Sequence, residues 1–204
     1  MTRQTFQHEG ASPLPVSPID TVSVIELDVA QVGVLQALFE DNAEYFHAIQ
    51  GAPASATEAY DELTEELPAG WSFTRQYKLG WQERSGALRA MANITSDLLA
   101  PGVWHIGLFM LAKESHGSGD AQKLYRSLEA WAFAQGAQWL RLGVVLGNER
   151  AERFWRASGF AECRTREGVE MGGQINTIRV MVKPLRGGML ADYLQAVPRD
   201  RPIS

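Results

Sequence analysis

Hydrophobic and polar positions along this chain alternate in blocks that predict an α/β (α+β) fold. Alternating or β-branched apolar stretches predict strands at 21–27, 73–83, 87–98, 160–166 and 175–183, and nearly continuous apolar runs predict buried strands at 103–112 and 139–146. Helical spacing predicts helices at 57–67, 120–135 and 149–158, after a first helix that begins at Asp28 with Gln31 as a capping box and keeps one apolar face as far as Phe46. The order β-α-α-β-β-β-α-β-α-β-β indicates a mixed, mostly antiparallel central sheet with helices on both faces.

The two ends of the chain depart from this pattern. Residues 1–20 contain Pro13, Pro15 and Pro18 and few large apolar residues, which predicts a disordered N-terminal tail. Residues 21–185 are expected to form a single domain, and 186–204 an appendage with one short helix near 189–195.

Composition narrows the classes of function. A net charge of −5 argues against a large basic surface for nucleic acid, and no apolar run is long enough to cross a bilayer. The N-terminus lacks the basic head and apolar middle of a signal peptide, and the single cysteine, Cys163, suits a reducing compartment. We therefore expect a cytoplasmic protein with no nucleic-acid or membrane partner, and His8 and His47 form no metal-binding spacing.

The most informative chemistry lies between residues 103 and 160. The apolar strand at 103–112 runs into the glycine-containing loop His116-Gly117-Ser118-Gly119-Asp120-Ala121, which opens a helix. Exposed backbone amides and a helix N-terminus at such a loop favour binding of an anion, although a tight turn without a ligand would have the same residues. A dinucleotide-binding fingerprint does not fit, because the third glycine is missing at Gln122.

The full order of strand, glycine loop, helix, strand, Asn148 and the segment Phe154-Trp155-Arg156-Ala157-Ser158-Gly159-Phe160 resembles the GNAT acyltransferase superfamily. The resemblance implies a splayed central strand pair, a loop whose amides from Gly117 to Gln122 hold the pyrophosphate of acetyl-CoA, and a strand whose backbone pairs with the pantetheine arm. The cofactor-binding residues implied are Phe109, Met110, Leu111, Lys113, His116, Gly117, Ser118, Gly119, Asp120, Ala121, Gln122, Asn148 and Trp155.

Several positions depart from the family pattern or allow two interpretations. His116 stands where the family has Gln or Arg and could donate to phosphate, more strongly when protonated. Lys113 replaces a frequent proline. Trp155 replaces the Tyr whose hydroxyl can protonate the departing thiolate, and indole is not expected to act as an acid. Asn148 could bond to pantetheine or cap the following helix.

The sequence identifies the residues that would bind or activate the acceptor less clearly than those of the cofactor site. His105 occupies the position of a glutamate base in several members of the family and is the candidate base here, or else a core residue of an apolar strand. Asn93 and Asp97 could line the same groove or a solvated face. The acidic residues of the second helix indicate either an acidic mouth for a cationic acceptor or an ordinary charged surface; they are Glu58, Asp61, Glu62, Glu65 and Glu66.

The function expected from these residues is acetyl-CoA-dependent N-acetyl transfer, by direct attack, to an amine of a small molecule or protein. A non-catalytic acyl-CoA-binding module is the alternative, O-acylation is also open, and a homodimer is compatible with the sequence.

Overall fold

A seven-stranded sheet forms the centre of the computed structural model, which describes residues 13–202. The sheet order is β1-β2-β3-β4-β5-β7-β6, and neighbouring strands are antiparallel except for the parallel pair β4 and β5. This confirms the predicted mixed, mostly antiparallel sheet. The strands are β1 (Val22–Glu26), β2 (Arg75–Glu83), β3 (Leu88–Ser96), β4 (Val103–Leu111), β5 (Trp139–Val145), β6 (Ala161–Met171) and β7 (Gln174–Pro184).

Helices cover both faces of the sheet. One face packs against the two helices that follow β4 and β5, through a core that contains Leu124, Leu128 and Trp155. On the other face, Leu35, Phe39 and neighbouring residues form a second core. The helices are α1 (Val32–Asp41), α2 (Ala43–Gln50), α3 (Glu58–Thr64), α4 (Asp120–Ala134), α5 (Glu149–Ala157) and α6 (Leu190–Ala196).

The parallel pair separates part of the way along its length. Residues 103–106 of β4 pair with residues 139–142 of β5, and beyond Ile106 and Leu142 the two strands continue without pairing to each other. The separation begins at Gly107, where a register shift between Asn93 and Ile94 interrupts the β3–β4 ladder. The splayed central pair is thereby confirmed.

The first helix is divided in two, which the sequence did not predict. Asp28 and Gln31 do form the capping box, but they cap a short 3₁₀ turn. The chain then breaks at Asn42, which is only 7% exposed and whose amide nitrogen donates to the carbonyls of Leu38 (2.9 Å) and Leu111 (3.0 Å). The prediction of one continuous helix was wrong because this side chain satisfies a carbonyl of β4, 69 residues away.

The N-terminal boundary also differs from the prediction. Leu14 and Ile19 pack against the main core, and the hydroxyl of Ser127 on α4 donates to the carbonyl of Val16. Residues 13–20 are therefore part of the packed domain rather than of a disordered tail. Residues 1–12 of the predicted tail lie outside the described residues.

The C-terminal segment is joined to the domain by a buried polar network. The short helix expected near 189–195 is present as α6, whose Tyr193 is fully buried. Arg141 of β5 forms two hydrogen bonds with the Asp200 carboxylate (Nε to Oδ2 2.6 Å, Nη2 to Oδ1 3.0 Å), and the Tyr193 hydroxyl donates to the same carboxylate at 2.5 Å. The structure thus corrects the predicted boundary at residue 185.

A bridge connects α2 to the hairpin formed by β6 and β7. The amide of Gly173, at the hairpin turn, donates to the carbonyl of Gln50 at 3.2 Å. The side chain of Asn176 donates to the carbonyl of Ile49 at 2.7 Å. This α2–hairpin bridge spans the side of the sheet on which β4 and β5 separate.

Candidate active site

A cavity of about 650 Å³ lies where β4 and β5 separate. Its walls come from α1, α2, β4, the glycine loop and the start of α5. Most of the residues proposed from the sequence to bind the cofactor line it, namely Phe109, Met110, Leu111, Lys113, His116, Gly117, Gly119, Ala121, Asn148 and Trp155. One cavity therefore contains both the loop and the unpaired part of β4.

The glycine loop presents open backbone to this cavity. Gly117 (φ +80°) and Gly119 (φ +84°) are in the left-handed region, and a Cβ added to either would meet no atom within 4 Å. Gly119 is the N-cap of α4 and provides no side-chain cap. The backbone at both glycines therefore borders space that an anion could fill, at the end of α4 where the helix dipole favours negative charge.

Three loop residues that were proposed to bind the cofactor have other contacts in the structure. Ser118, Asp120 and Gln122 are not among the residues lining the cavity. The amide of Asp120 donates to the Ser118 hydroxyl at 3.1 Å, and the Asp120 carboxylate is ion-paired with Arg89 (2.9 Å) and Lys123 (3.2 Å). Asp120 therefore anchors the helix start to β3 rather than offering its amide to a ligand.

His116 is held in its neutral form. Its Nε2 lies 3.2 Å from the carbonyl of Leu111, which can only accept, and its Nδ1 lies 3.1 Å from Nη1 of Arg150, which can only donate. Nε2 must carry the proton, and Nδ1 is an acceptor. Burial, and then the charge of Arg150, lower the pKa of His116. Donation from His116 to phosphate stays a prediction, and this geometry does not favour it because both ring nitrogens already have partners.

The unpaired edge of β4 offers a limited set of backbone groups. The amide of Ala112 donates to the carbonyl of Arg89 on β3, so by strand alternation the backbone groups of Phe109 and Leu111 face the opposite edge. The carbonyl of Leu111 already accepts from Asn42 and His116. The groups of Phe109 and the amide of Leu111 are thus the ones positioned to pair with an amide-containing ligand.

An aromatic wall closes the inner part of the cavity. Trp155 is 7% exposed, and its ring centroid lies 5.9 Å from that of Phe109, 4.9 Å from Phe154 and 5.3 Å from Tyr125. Asn148 accepts the amide of Ala151 at 3.1 Å, which is the capping interpretation of that residue. The phenol of Tyr125 in this wall accepts from Lys183 at 3.4 Å, and burial raises its pKa, so it is a weaker acid than an ordinary tyrosine.

His105 is placed apart from this cavity. Its Nδ1 accepts from Nη1 of Arg141 at 3.2 Å, and it is not among the residues lining the cavity. Burial, and next the charge of Arg141, lower the pKa of His105 to about 3. The role of His105 as a base stays a prediction, and this geometry does not favour it because such an imidazole has little affinity for a proton.

A carboxylate lies on the α1–α3 face near the separation of β4 and β5. Glu62 of α3 accepts from the Asn93 side chain at 2.7 Å, and Asn93 lies 3.7 Å from where a Cβ of Gly107 would be. Burial raises the pKa of Glu62, against the lowering effect of the Asn93 hydrogen bond. Tyr45 lines the cavity, and its pKa is raised first by burial and then by the charge of Glu62.

Residues from α1, α2, the end of β5 and the start of α5 line the cavity without having been proposed from the sequence. Asp41 accepts the amide of Lys113 at 2.8 Å, and Tyr45 and Arg150 face the same space. The division of the first helix, which brings α1 and α2 against the end of β4, leaves no local signal in the sequence. Arg150 lies between Asn148, which caps α5, and the aromatic residues that begin at Phe154. A cation at this position in the sequence indicates a candidate anion-binding residue, which the sequence analysis did not include.

Residues 13–202 contain neither a cluster of metal ligands nor a helix that could cross a membrane. No group of three or more His, Cys, Asp or Glu side chains in this range could hold a metal ion. No helix within the same range has both the length and the apolar character needed to span a membrane.

Solved structures with a similar fold include N-acetyltransferases. A GCN5-related N-acetyltransferase from Kribbella flavida has 19% identity and a TM-score of 0.59, covering 81% of this chain and 99% of its own. A spermidine N-acetyltransferase from Vibrio cholerae, in complex with CoA and spermine, has 14% identity and a TM-score of 0.61 over 81% and 96% of the two chains. A ribosomal-protein-alanine N-acetyltransferase from Brucella melitensis has 21% identity and a TM-score of 0.57 over 80% and 99%.

At these identities the structural likeness concerns the fold. No curated protein sequence matches the chain. The sequence family described as the acetyltransferase (GNAT) family matches residues 35–160, which is more than half of the chain. Together with the splayed strands and the glycine loop, this match shows that the protein is an enzyme of the GNAT family of acetyltransferases.

Proposed function

We propose that the protein transfers the acetyl group of acetyl-CoA directly to the amino group of a cationic acceptor. The observation that carries the proposal is the separation of β4 from β5. It joins an anion-binding loop, an unpaired strand edge and an apolar wall within one cavity.

Acetyl-CoA fits the order of groups along this cavity. The open amides at Gly117, Gly119 and Ala121 would bind the pyrophosphate. The backbone of Phe109 would pair with an amide of the pantetheine arm, as an added strand pairs with a sheet edge. The thioester end would then lie against Trp155, where the low polarity of the wall strengthens the polarisation of the carbonyl by a backbone amide.

We base the acceptor class on the charge of Glu62, which is bonded to Asn93 near Gly107, where β4 and β5 separate. The ammonium of Lys78 donates to the backbone carbonyl of Glu62, not to its carboxylate. Among residues 13–202, the Glu62 carboxylate has no ion-pair partner and accepts one hydrogen bond, from Asn93. An ammonium group would satisfy this half-buried charge. The similar enzyme from Vibrio cholerae is described with spermine, a polycationic amine.

Glu62 also provides a proton acceptor for the attack. An ammonium must lose a proton before its nitrogen can form a bond to the thioester carbonyl. Glu62, whose pKa burial raises, would take that proton. The C–S bond then breaks, and the thiolate of CoA takes a proton from solvent, since the indole of Trp155 supplies none.

The test is release of free CoA thiol when the protein is mixed with acetyl-CoA and a panel of amines. The panel comprises spermidine, an aminoglycoside, an amino acid amide and a peptide that begins with alanine. We expect release with at least one amine, and faster release with the polycations. Binding of acetyl-CoA by calorimetry without release on any amine would instead support the acyl-CoA-binding module.

A pair of variants tests the acceptor side. Glu62→Gln removes the carboxylate that is bonded to Asn93, and Glu65→Gln removes the same charge at an exposed position three residues further along. We expect Glu62→Gln to reduce turnover of the polycation by about 10²–10⁴-fold, the usual scale for a general base, while Glu65→Gln leaves it unchanged. Equal effects of both substitutions would contradict the assignment of Glu62.

A further inference from the structure

Arg150 is an unneutralised cation at the mouth of the cavity. It is exposed, lines the cavity and follows Asn148 in the first turn of α5. The neighbouring carboxylate of Glu149 is paired with Arg153 at 3.1 Å. Throughout residues 13–202, no carboxylate lies within ion-pair distance of Arg150, whereas Lys113, the other lining cation, is paired with Glu44 at 3.4 Å.

His116 fixes where this cation lies. The imidazole accepts one N–H of Arg150 and donates its own proton to the carbonyl of Leu111, so a chain of two hydrogen bonds connects Arg150 to the end of β4. A guanidinium has five N–H donors, and His116 uses one of them. The remaining donors stay available next to the open amides of Gly117 and Gly119.

The other charges at the cavity leave Arg150 as the cation available to an anionic ligand. The lining carboxylates of Glu44 and Glu149 are paired with Lys113 and Arg153, and the carboxylate of Asp41 accepts the amide of Lys113. The loop position where relatives in this family carry Gln or Arg is occupied by a neutral His116, which has no donor left for a ligand. The guanidinium of Arg150 is the group that can replace the missing side chain.

We infer that Arg150 binds a phosphate group of the acyl-CoA, in the role that the Gln or Arg of the loop would otherwise have, and that His116 serves to position it. This inference rests on the proposed use of acyl-CoA. A planar fork of donors suits phosphate oxygens and allows two parallel hydrogen bonds.

Calorimetric titration with acetyl-CoA tests the inference on three variants. Arg150→Gln removes the charge and the fork, Arg150→Lys keeps the charge alone, and Arg153→Gln is the matched control on the same exposed helix. We expect Arg150→Gln to weaken binding by about 10- to 100-fold, as loss of hydrogen bonds to a charged group does. Arg150→Lys should recover part of that loss. Arg153→Gln leaves Arg150 in place but frees the Glu149 carboxylate, so it should weaken binding by less than Arg150→Gln does.

A second titration distinguishes the two phosphate sources. If the effect of Arg150→Gln is the same with CoA and with 3′-dephospho-CoA, Arg150 binds the pyrophosphate; if it disappears with 3′-dephospho-CoA, Arg150 binds the 3′-phosphate. Unchanged affinity in Arg150→Gln, or an equal loss in Arg153→Gln, would overturn the inference while leaving the proposed function intact. Failure of the wild type to bind acetyl-CoA would overturn both.

Discussion

The buried pair of Arg141 and Asp200 tests whether the C-terminal segment is part of the folded domain. Asp200 is fully buried, the Arg141 side chain is 6% exposed, and the two groups share two hydrogen bonds. Asp200→Asn keeps the size of the side chain and removes its charge. The guanidinium of Arg141 would then remain in the interior without a counter-charge.

The structure sets the size of the expected effect. Removing one partner of a buried ion pair costs about 3–5 kcal/mol, because the remaining charge stays desolvated. Domains of this type have free energies of unfolding of about 5–15 kcal/mol, so the expected loss is at least about a fifth of the total. For a chain of this length the melting temperature should fall by about 6–20 °C.

Urea unfolding monitored by tryptophan fluorescence measures this loss. Glu26→Gln is the control, because it breaks the exposed Arg75–Glu26 pair, for which less than about 1 kcal/mol is expected. A loss of stability in Asp200→Asn no larger than in Glu26→Gln would refute the reasoning. It would mean that the C-terminal segment is not joined to the domain through this pair.

The same pair predicts a dependence on acid. Burial alone would raise the pKa of Asp200, but the hydrogen bonds and charge of Arg141 outweigh it and hold the pKa below its ordinary value. A carboxyl with a lowered pKa in the folded state contributes stability above its unfolded pKa, and that contribution is lost as the pH falls through the folded pKa. The difference in stability between wild type and Asp200→Asn should therefore shrink below about pH 4.

Three further predictions concern the cavity and its surroundings. Because burial and the charge of Arg141 lower the pKa of His105 to about 3, NMR should show a neutral imidazole between pH 8 and 5, and His105→Gln should leave the pH profile of turnover unchanged. Titration of His105 near pH 6.5 would contradict this prediction. Trp155→Phe should keep turnover within about tenfold because no acid is removed, whereas Trp155→Ala should cost on the order of 3 kcal/mol of stability and weaken CoA binding. Loss of all turnover in Trp155→Phe with normal CoA affinity would instead show that the indole N–H has a role. Gly119→Glu should abolish acetyl-CoA binding in calorimetry, while Gly70→Glu, at an equally open glycine (φ +87°) away from the cavity, should not. Equal affinities of the two variants for acetyl-CoA would contradict the proposal that the glycine loop binds phosphate.

The elements that could be predicted from the sequence are those with a local signal. The glycine loop and α4 combine a turn requirement with helical periodicity, and both occur where expected. The strands β4 and β5 have continuous apolar runs, which distinguish a central pair buried on both faces from its neighbours. The cavity lies between these two strands, in the part of the chain that has the strongest local signals.

The features that could not be predicted depend on contacts distant in sequence. Asn42 breaks the first helix because it bonds to Leu111, and Asp200 is buried because Arg141 lies 59 residues earlier on β5. From the sequence alone, a polar residue such as Asp200 is expected to lie in a solvated segment, because its buried partner cannot be identified. Helical periodicity likewise cannot show that Glu62 meets Asn93 across 31 residues.

The α2–hairpin bridge has a mechanical consequence for the sheet. Strands β1–β4 and strands β5–β7 form two halves whose own hydrogen-bonded seam is only the four residue pairs between β4 and β5. The contacts of Gln50 with Gly173 and of Ile49 with Asn176 add a second attachment across the gap. The bridge therefore adds a second connection to the β4–β5 seam and limits how far the two halves of the sheet can separate at the cavity.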